Sequence, residues 1–252
     1  MVSGSLRGAD KVTTIAVVDI ETDRFEGEEG EAKVVELACV AITDEWDINT
    51  TSWEIGFEGS CLFKSDAAIT PRARAMHHLS DLDVMLHAQF DCELWERCID
   101  LEGIDYLAAH NVAFDRTVIE RAAGPTDKPW ICTLKCARVA WPEAPAFGNQ
   151  VLRYWRGIEK VVEPPSLYPH CALYDATVTS WLLVELVDAF GGDLDRMVQV
   201  SSEPSLLPRI TFGKHRGVRW SEAPRDYLQW VLKQDFDEDT RWTAKYWLEK
   251  IR

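Results

Sequence analysis

Two acids one residue apart close an apolar run, Thr14-Ile15-Ala16-Val17-Val18-Asp19-Ile20-Glu21-Thr22. The β-branched run predicts a buried strand. Residues i and i+2 of a strand share a face, so Asp19 and Glu21 point the same way. Like charges that close repel, and burial raises the cost of ionising both. A divalent cation between the oxygens relieves that repulsion. For an isolated pair, a strand end whose acids face water is the simpler explanation.

Three further residues carry the same kind of chemistry. Asp115 follows the short apolar stretch Tyr106–Ala109 and opens a helix-like segment. Open α/β sheets gather functional side chains at that place, although Asp115 alone reads equally as a helix cap. His170 and Asp175 stand at the head of the apolar helix expected over Ala172–Phe190. An imidazole on the loop and a carboxylate one turn in can then face one site. Taken singly, His170 is a surface polar residue and Asp175 a solvated acid. Cys132 and Cys136 lack two further zinc ligands in reach and are expected as buried thiols. Lys214, His215, Arg216 and Arg219 form a Gly-flanked basic turn, which offers donors to an anion and is expected to contact phosphate.

The elements that must position these residues follow from periodicity. Strands are expected at Thr14–Thr22, Val34–Ile42, Thr51–Phe63, Tyr106–Ala109 and Trp130–Thr133. Helices are expected from Pro71, from a Ser80–Asp83 cap, along the Leu94, Trp95, Cys98, Ile99 stripe, and over Arg116–Ala123, Leu134–Ala140, Val151–Trp155 and Ala172–Phe190. Early strands followed by alternating helix and strand indicate an α/β domain with a mixed sheet. After Gly192 the composition shifts. Ser201-Ser202-Glu203-Pro204 reads as a joint, so residues 1–200 are expected to form the main domain and 201–252 a small module. That module is read as a hairpin over Ile210–Trp220 and two helices. Its Tyr227, Trp230, Trp242, Tyr246 and Trp247 are expected as core.

Composition narrows the class. The chain has 252 residues, 46% of them hydrophobic, with eleven tryptophans; that suits a large domain, or a large one plus a small one. Met1 to Lys11 has no apolar signal-like stretch and no segment is long enough to span a bilayer. Seven scattered cysteines fit reduced thiols, so a cytoplasmic location without membrane contact is expected. The net charge of −15 is uneven: residues 201–252 carry 10 Lys/Arg against 8 Asp/Glu, and the first 200 carry 17 against 34. Net charge alone favours a protein or small-molecule partner. A carboxylate metal site would add the same negative charge while still binding phosphates through the metal.

Val17-Val18-Asp19-Ile20-Glu21-Thr22, His110-Asn111-Val112-Ala113-Phe114-Asp115 and His170 through Thr179 together resemble the three motifs of the DnaQ-like, DEDDh family of 3′–5′ exonucleases. Ile69 to Ser80, Trp130 to Arg138 and the Thr211–Gly217 tail resemble further parts of the same family, so the resemblance covers nearly the whole chain. It implies a ribonuclease H-like fold, a mixed five-stranded sheet with flanking helices, ahead of the small C-terminal module.

The resemblance also implies roles. Asp19, Glu21, Asp115 and Asp175 would hold two Mg²⁺, with Mn²⁺ as a substitute, and His170 would be the general base. Thr22, Phe25, Asn111 and Phe114 would line the place of the terminal nucleotide, with His77 or His78 on the substrate backbone and Lys214 and Arg216 on the substrate as well. The implied activity is 3′→5′ hydrolysis of DNA, single-stranded or frayed ends favoured, releasing 5′-mononucleotides. The partner would be nucleic acid 3′ ends, DNA favoured over RNA. An exoribonuclease or oligonucleotidase and a non-catalytic nucleic-acid-binding protein of the same fold are the alternatives. One departure stands out: Asp23 and Arg24 replace the family's small residue and glycine. An acidic loop follows that would repel phosphates at close range.

Overall fold

The computed structural model describes residues 12–47, 50–158 and 168–251; the Met1–Lys11 segment and positions 159–167 of the Pro-rich stretch lie outside them. A five-stranded sheet has the order β3-β2-β1-β4-β5. The strands are β1 (Thr14–Thr22), β2 (Val34–Asp47), β3 (Thr50–Leu62), β4 (Tyr106–Ala109) and β5 (Trp130–Cys132). The first three form an antiparallel meander, and β4 and β5 run parallel to β1. The mixed sheet expected from the sequence is therefore present.

Ten helices accompany it among the described residues: α1 (Pro71–His77), α2 (Asp81–Val84), α3 (Cys92–Ile99), α4 (Val112–Ala123), α5 (Thr133–Ala140), α6 (Asn149–Arg156), α7 (Ala172–Ala189), α8 (Leu194–Ser202), α9 (Arg225–Val231) and α10 (Glu238–Lys250). Pro71 opens α1, where its missing N–H costs nothing, and Thr70 caps it by accepting the Ala73 N–H at 3.3 Å. Ser80 and Asp83 form the expected capping box on α2.

β1 is apolar from Ile15 to Val18 and again at Ile20 because both of its faces are covered. Ile15 and Val17 pack into one core with residues of α5, α6, α7 and α8. Ala16, Val18 and Ile20 pack into a second core with α3 and α4. Strict alternation carries Asp19 and Glu21 onto the first of these faces, the one that α7 covers. Parallel pairing of β1 with β4 puts both C-terminal ends at one edge, where α4 begins.

One helix was not expected. Gly191 and Gly192, both at positive φ, end α7, and Asp193 then caps α8 by accepting the Arg196 N–H at 2.8 Å. Met197 and Val200 of α8 are buried, and the Ser201 hydroxyl accepts the Cys132 N–H at 2.7 Å at the end of β5. The joint read from Ser201 and Ser202 is thus the last turn of a docked helix. Cys132 and Cys136 are buried thiols, with the Cys136 Sγ against the Met197 carbonyl.

The C-terminal residues build a core of their own around Trp220, Leu228 and Val231. The expected hairpin is reduced to a single bridge between Arg209 and Arg219, with a 3-10 turn at Gly213–His215. Tyr227 is buried as expected. Trp230 instead keeps 45% of its surface exposed, because α9 is short and offers one face to α10. Arg138 pairs with Asp239 at 2.8 Å and Arg219 with Glu143 at 2.7 Å, tying these C-terminal residues to α5 and the loop after it. No helix of the described residues is long and apolar enough to cross a membrane.

Leu183 is fully buried where α7 meets the sheet. Leu183→Ala is expected to destabilise the protein by about 2–5 kcal/mol in urea unfolding, through lost burial and a residual cavity; a change within about 0.5 kcal/mol would show that α7 does not carry this core.

Candidate active site

Three elements deliver the acids. Asp19 and Glu21 end β1 on the α7 face. Asp115 lies in the first turn of α4, behind Asn111, whose left-handed conformation (φ 76°) turns the chain from strand into helix. Asp175 lies in the first turn of α7. Its two oxygens are fixed: one accepts the His170 N–H at 2.8 Å, the other the Gln150 side-chain amide at 3.2 Å. His170 is itself left-handed, at φ 67°, which folds its loop back onto α7. Ligand atoms of Glu21, His170 and Asp175 lie within 4.8 Å of one another.

The electrostatics bind all four acids into one set. Burial first, then the charges of Asp115, Asp175, Glu21 and Glu36, hold the Asp19 carboxyl well above the usual carboxylate range. Burial, followed by Asp175, Glu36 and Asp115, pushes Glu21 up to about 9. Burial pushes Asp115 up to about 8, against the pull of N–H groups from Ile20 and from Asp115 itself. Asp175 is raised by burial too. Without a counter-charge, Glu21 and Asp115 favour the protonated form at neutral pH. The donor set, carboxylates and one imidazole with no thiolate, suits hard divalent cations rather than zinc of a structural type.

Tyr174 is buried one residue before Asp175, and its hydroxyl bonds Arg153 and Gln150. Its hydroxyl is thus engaged with Arg153 and with the Gln150 amide that holds Asp175, whereas His170 is exposed.

Around this set the remaining predicted residues fall into different places. Thr22 is buried, its hydroxyl donating to the Arg24 carbonyl at 2.8 Å. Phe25 is half-buried, and the Arg72 guanidinium lies 4.3 Å over its ring. Asn111 is exposed and lines a cavity of about 550 Å³ whose opposite wall is Leu207–Arg209 and Thr211 of the C-terminal module. Phe114 is half-buried against the α3–α4 core. Lys214 and Arg216 are exposed on the module's turn.

His77 requires a correction. A place on the substrate backbone is expected for it, yet only 2% of its surface is exposed. Its Nδ1 accepts the Leu79 N–H at 3.0 Å, which leaves Nε2–H to donate to the Thr22 carbonyl at 3.1 Å. Nε2 thus holds the end of β1 and Nδ1 the turn after α1, and burial lowers the ring's pKa. The exposed neighbour is His78, whose ring meets Tyr168.

Asp23, one of the two departures from the family pattern, turns inward. It is fully buried, accepting the Lys33 N–H at 2.9 Å and the Ser65 hydroxyl at 2.6 Å, and pairing with Arg24 at 3.1 Å. The departure at Asp23 therefore organises the 23–33 loop, whose Glu26, Glu29 and Glu31 remain exposed. Two residues went unread in the sequence: Gln150, which bonds Asp175, and Glu36, a buried acid facing Glu21 in the β1–β2 register. The available signal for Glu36 was a lone acid inside Val34-Val35-Glu36-Leu37-Ala38.

No protein-family model matches the chain. Exodeoxyribonuclease 10 of Escherichia coli K12 is 32% identical over 241 residues, spanning 93% of this chain and 99% of the relative. The chain belongs to the exodeoxyribonuclease 10 family, among the DnaQ-like 3′–5′ exonucleases. A solved structure described as exonuclease X in complex with 5′ overhanging duplex DNA is 28% identical, with a TM-score of 0.59, and matches 75% of this chain and 99% of its own. The nuclease domain of 3′hExo, a DEDDh family member bound to rAMP, shares the fold at 15% identity and a TM-score of 0.55, over 72% of this chain and 94% of its own. The ribonuclease H-like architecture of this exonuclease family is thus present here.

The raised acids fix a sign for pH dependence. Glu21 at about 9 and Asp115 at about 8 stand above ordinary values of 4.5 and 3.8. The folded chain then binds more protons than the unfolded one between roughly pH 4 and 9, and stability falls as pH rises through that window. In EDTA, Tm is expected to drop from about pH 5 to about pH 8.5, and Asp115→Asn to flatten the drop. A variant whose Tm falls as steeply as the parent's would remove Asp115 from the coupled set.

Proposed function

We propose that the chain is a metal-dependent 3′→5′ exonuclease that shortens DNA and releases 5′-mononucleotides. The observation that carries this reading is the convergence of Asp19, Glu21, Asp115 and Asp175, from β1, α4 and α7, into one largely desolvated set with His170 beside it. A relative named as an exodeoxyribonuclease over almost its whole length supports the same reaction.

The four carboxylates would hold two Mg²⁺, with Mn²⁺ able to substitute. When bound, such cations lower the pKa of an attacking water and stabilise the leaving 3′-oxygen. His170 takes the proton of that water at a ring nitrogen, a task suited to imidazole near neutral pH. Its backbone N–H on Asp175 holds the ring next to the acids. Thr22 and Phe25 border the terminal nucleotide: Phe25 lends a ring face for sequence-tolerant stacking, and Arg72 on that ring adds a positive charge near the phosphates. Asn111 lines the approach, and Phe114 closes it from the core side.

Residues 1–200 carry the chemistry in this account, and the module of residues 201–252 adds affinity, with Lys214 and Arg216 neutralising phosphates. Asp19, Glu21 and Asp175 are half-buried and Asp115 is buried, so a terminal nucleotide reaches them more readily from a single strand or a frayed end. DNA is favoured over RNA as substrate because the curated relative is an exodeoxyribonuclease.

The test is digestion of end-labelled single-stranded DNA, duplex DNA and RNA, with Mg²⁺ or with EDTA. Asp175→Ala is expected to cut the rate by about a thousandfold through lost transition-state charge stabilisation, and His170→Ala by about a hundred- to ten-thousandfold. Full activity of Asp175→Ala with Mg²⁺, or undiminished digestion in EDTA, would contradict the mechanism.

A further inference from the structure

Glu36 stands outside the four-carboxylate set, yet the fold keeps it at 6% exposure beside that set. It pairs in register with Glu21 across the β1–β2 ladder. Alternation along β2 places it on the face of Ala38 and Val40, the face packed under α7. A fifth acid here only adds to the repulsion on Glu21 and Asp19. An apolar side chain at the same point would avoid that, so another interaction must hold the carboxylate there.

Its hydrogen bonds identify that interaction. α7 starts at Ala172, and its N-cap residue, Cys171, supplies no side-chain acceptor. The first N–H groups of a helix have no partner inside the helix. One Glu36 oxygen accepts the Ala172 N–H at 3.2 Å, and the other lies 4.0 Å from the Cys171 Sγ. The Ser60 hydroxyl, from β3, bonds the same carboxylate. The cap missing from α7 is thus provided by a strand, and a negative group at that helix end also suits its dipole.

We propose that Glu36 is a positioning residue, a cap supplied by β2 that pins the start of α7 to the sheet and so sets His170 and Asp175 against Glu21. His170 and Asp175 flank the capped N–H on either side and are bonded to each other at 2.8 Å. A helix start that slips therefore moves base and carboxylate together, away from the β1 acids. This inference rests on the exonuclease reading of the site.

Two substitutions separate capping from charge and from bulk. Glu36→Gln retains an acceptor for the Ala172 N–H; Glu36→Met retains the volume and removes the acceptor. On single-stranded DNA with Mg²⁺, Glu36→Met is expected to lower kcat by about ten- to a hundredfold, as small misplacements of catalytic groups do. KM should stay within about twofold, because an interaction felt only in the chemical step leaves ground-state binding intact. Glu36→Gln keeps most of the rate. Adding Cys171→Ser to Glu36→Met gives α7 a cap of its own and recovers part of the loss; if circular dichroism shows Glu36→Met unfolded, this double variant and Glu36→Gln carry the comparison. Wild-type turnover by Glu36→Met, or a Glu36→Gln as inactive as Asp175→Asn, overturns the capping role. Wild-type turnover by Asp175→Asn measured alongside would instead overturn the exonuclease reading itself.

Discussion

The burial of Asp19, Glu21, Asp115 and Asp175 side by side is the constraint on which the rest of the structure turns. Desolvation holds each of the four carboxyls above its ordinary range, and neighbouring negative charges raise Asp19 and Glu21 further. No single element could gather them: a strand delivers two acids on one face, and each helix N-terminus delivers one. The sheet resists the repulsion because β1 is central, paired on both sides, and anchored by apolar residues in two separate cores. The acids sit at the end of the most thoroughly packed strand, where displacement would disturb both cores at once.

Around the acids, polar groups that bind no substrate supply the rigidity. His77 spends both ring nitrogens on the backbone at the end of β1 and in the turn after α1. Gln150, from α6, bonds Asp175 and is itself contacted by Tyr174 and the buried Arg153. Asp23 closes the 23–33 loop on itself. Each of these groups is buried or partly buried and has its partners, as buried polar groups must. Under the proposed mechanism, the same rigidity keeps the carboxylates apart from one another until cations neutralise them.

Much of this was legible in the sequence, for definite reasons. β1 showed because a strand buried on both faces is apolar throughout, and two acids at its end break that rule visibly. α7 showed because its apolar run is long and bounded by Gly191-Gly192. What stayed hidden depended on tertiary contacts. α8 lay behind the glycines, where a short amphipathic stretch resembles a joint until Ser201 is seen on β5. His77 carries no mark in the sequence that tells a buried clamp from a surface ligand. The inward role of Asp23 stayed hidden because its partners, Lys33 and Ser65, are remote or lie across the loop. Glu36 needed the β1–β2 register before its position opposite Glu21 had any meaning.

The most direct measurement is anomalous diffraction from crystals of the protein grown with Mn²⁺ and a 5′-mononucleotide. The account predicts two manganese peaks, about 3.5–4 Å apart, bounded by Asp19, Glu21, Asp115 and Asp175. Manganese absent from those carboxylates, with the nucleotide bound elsewhere, would contradict it.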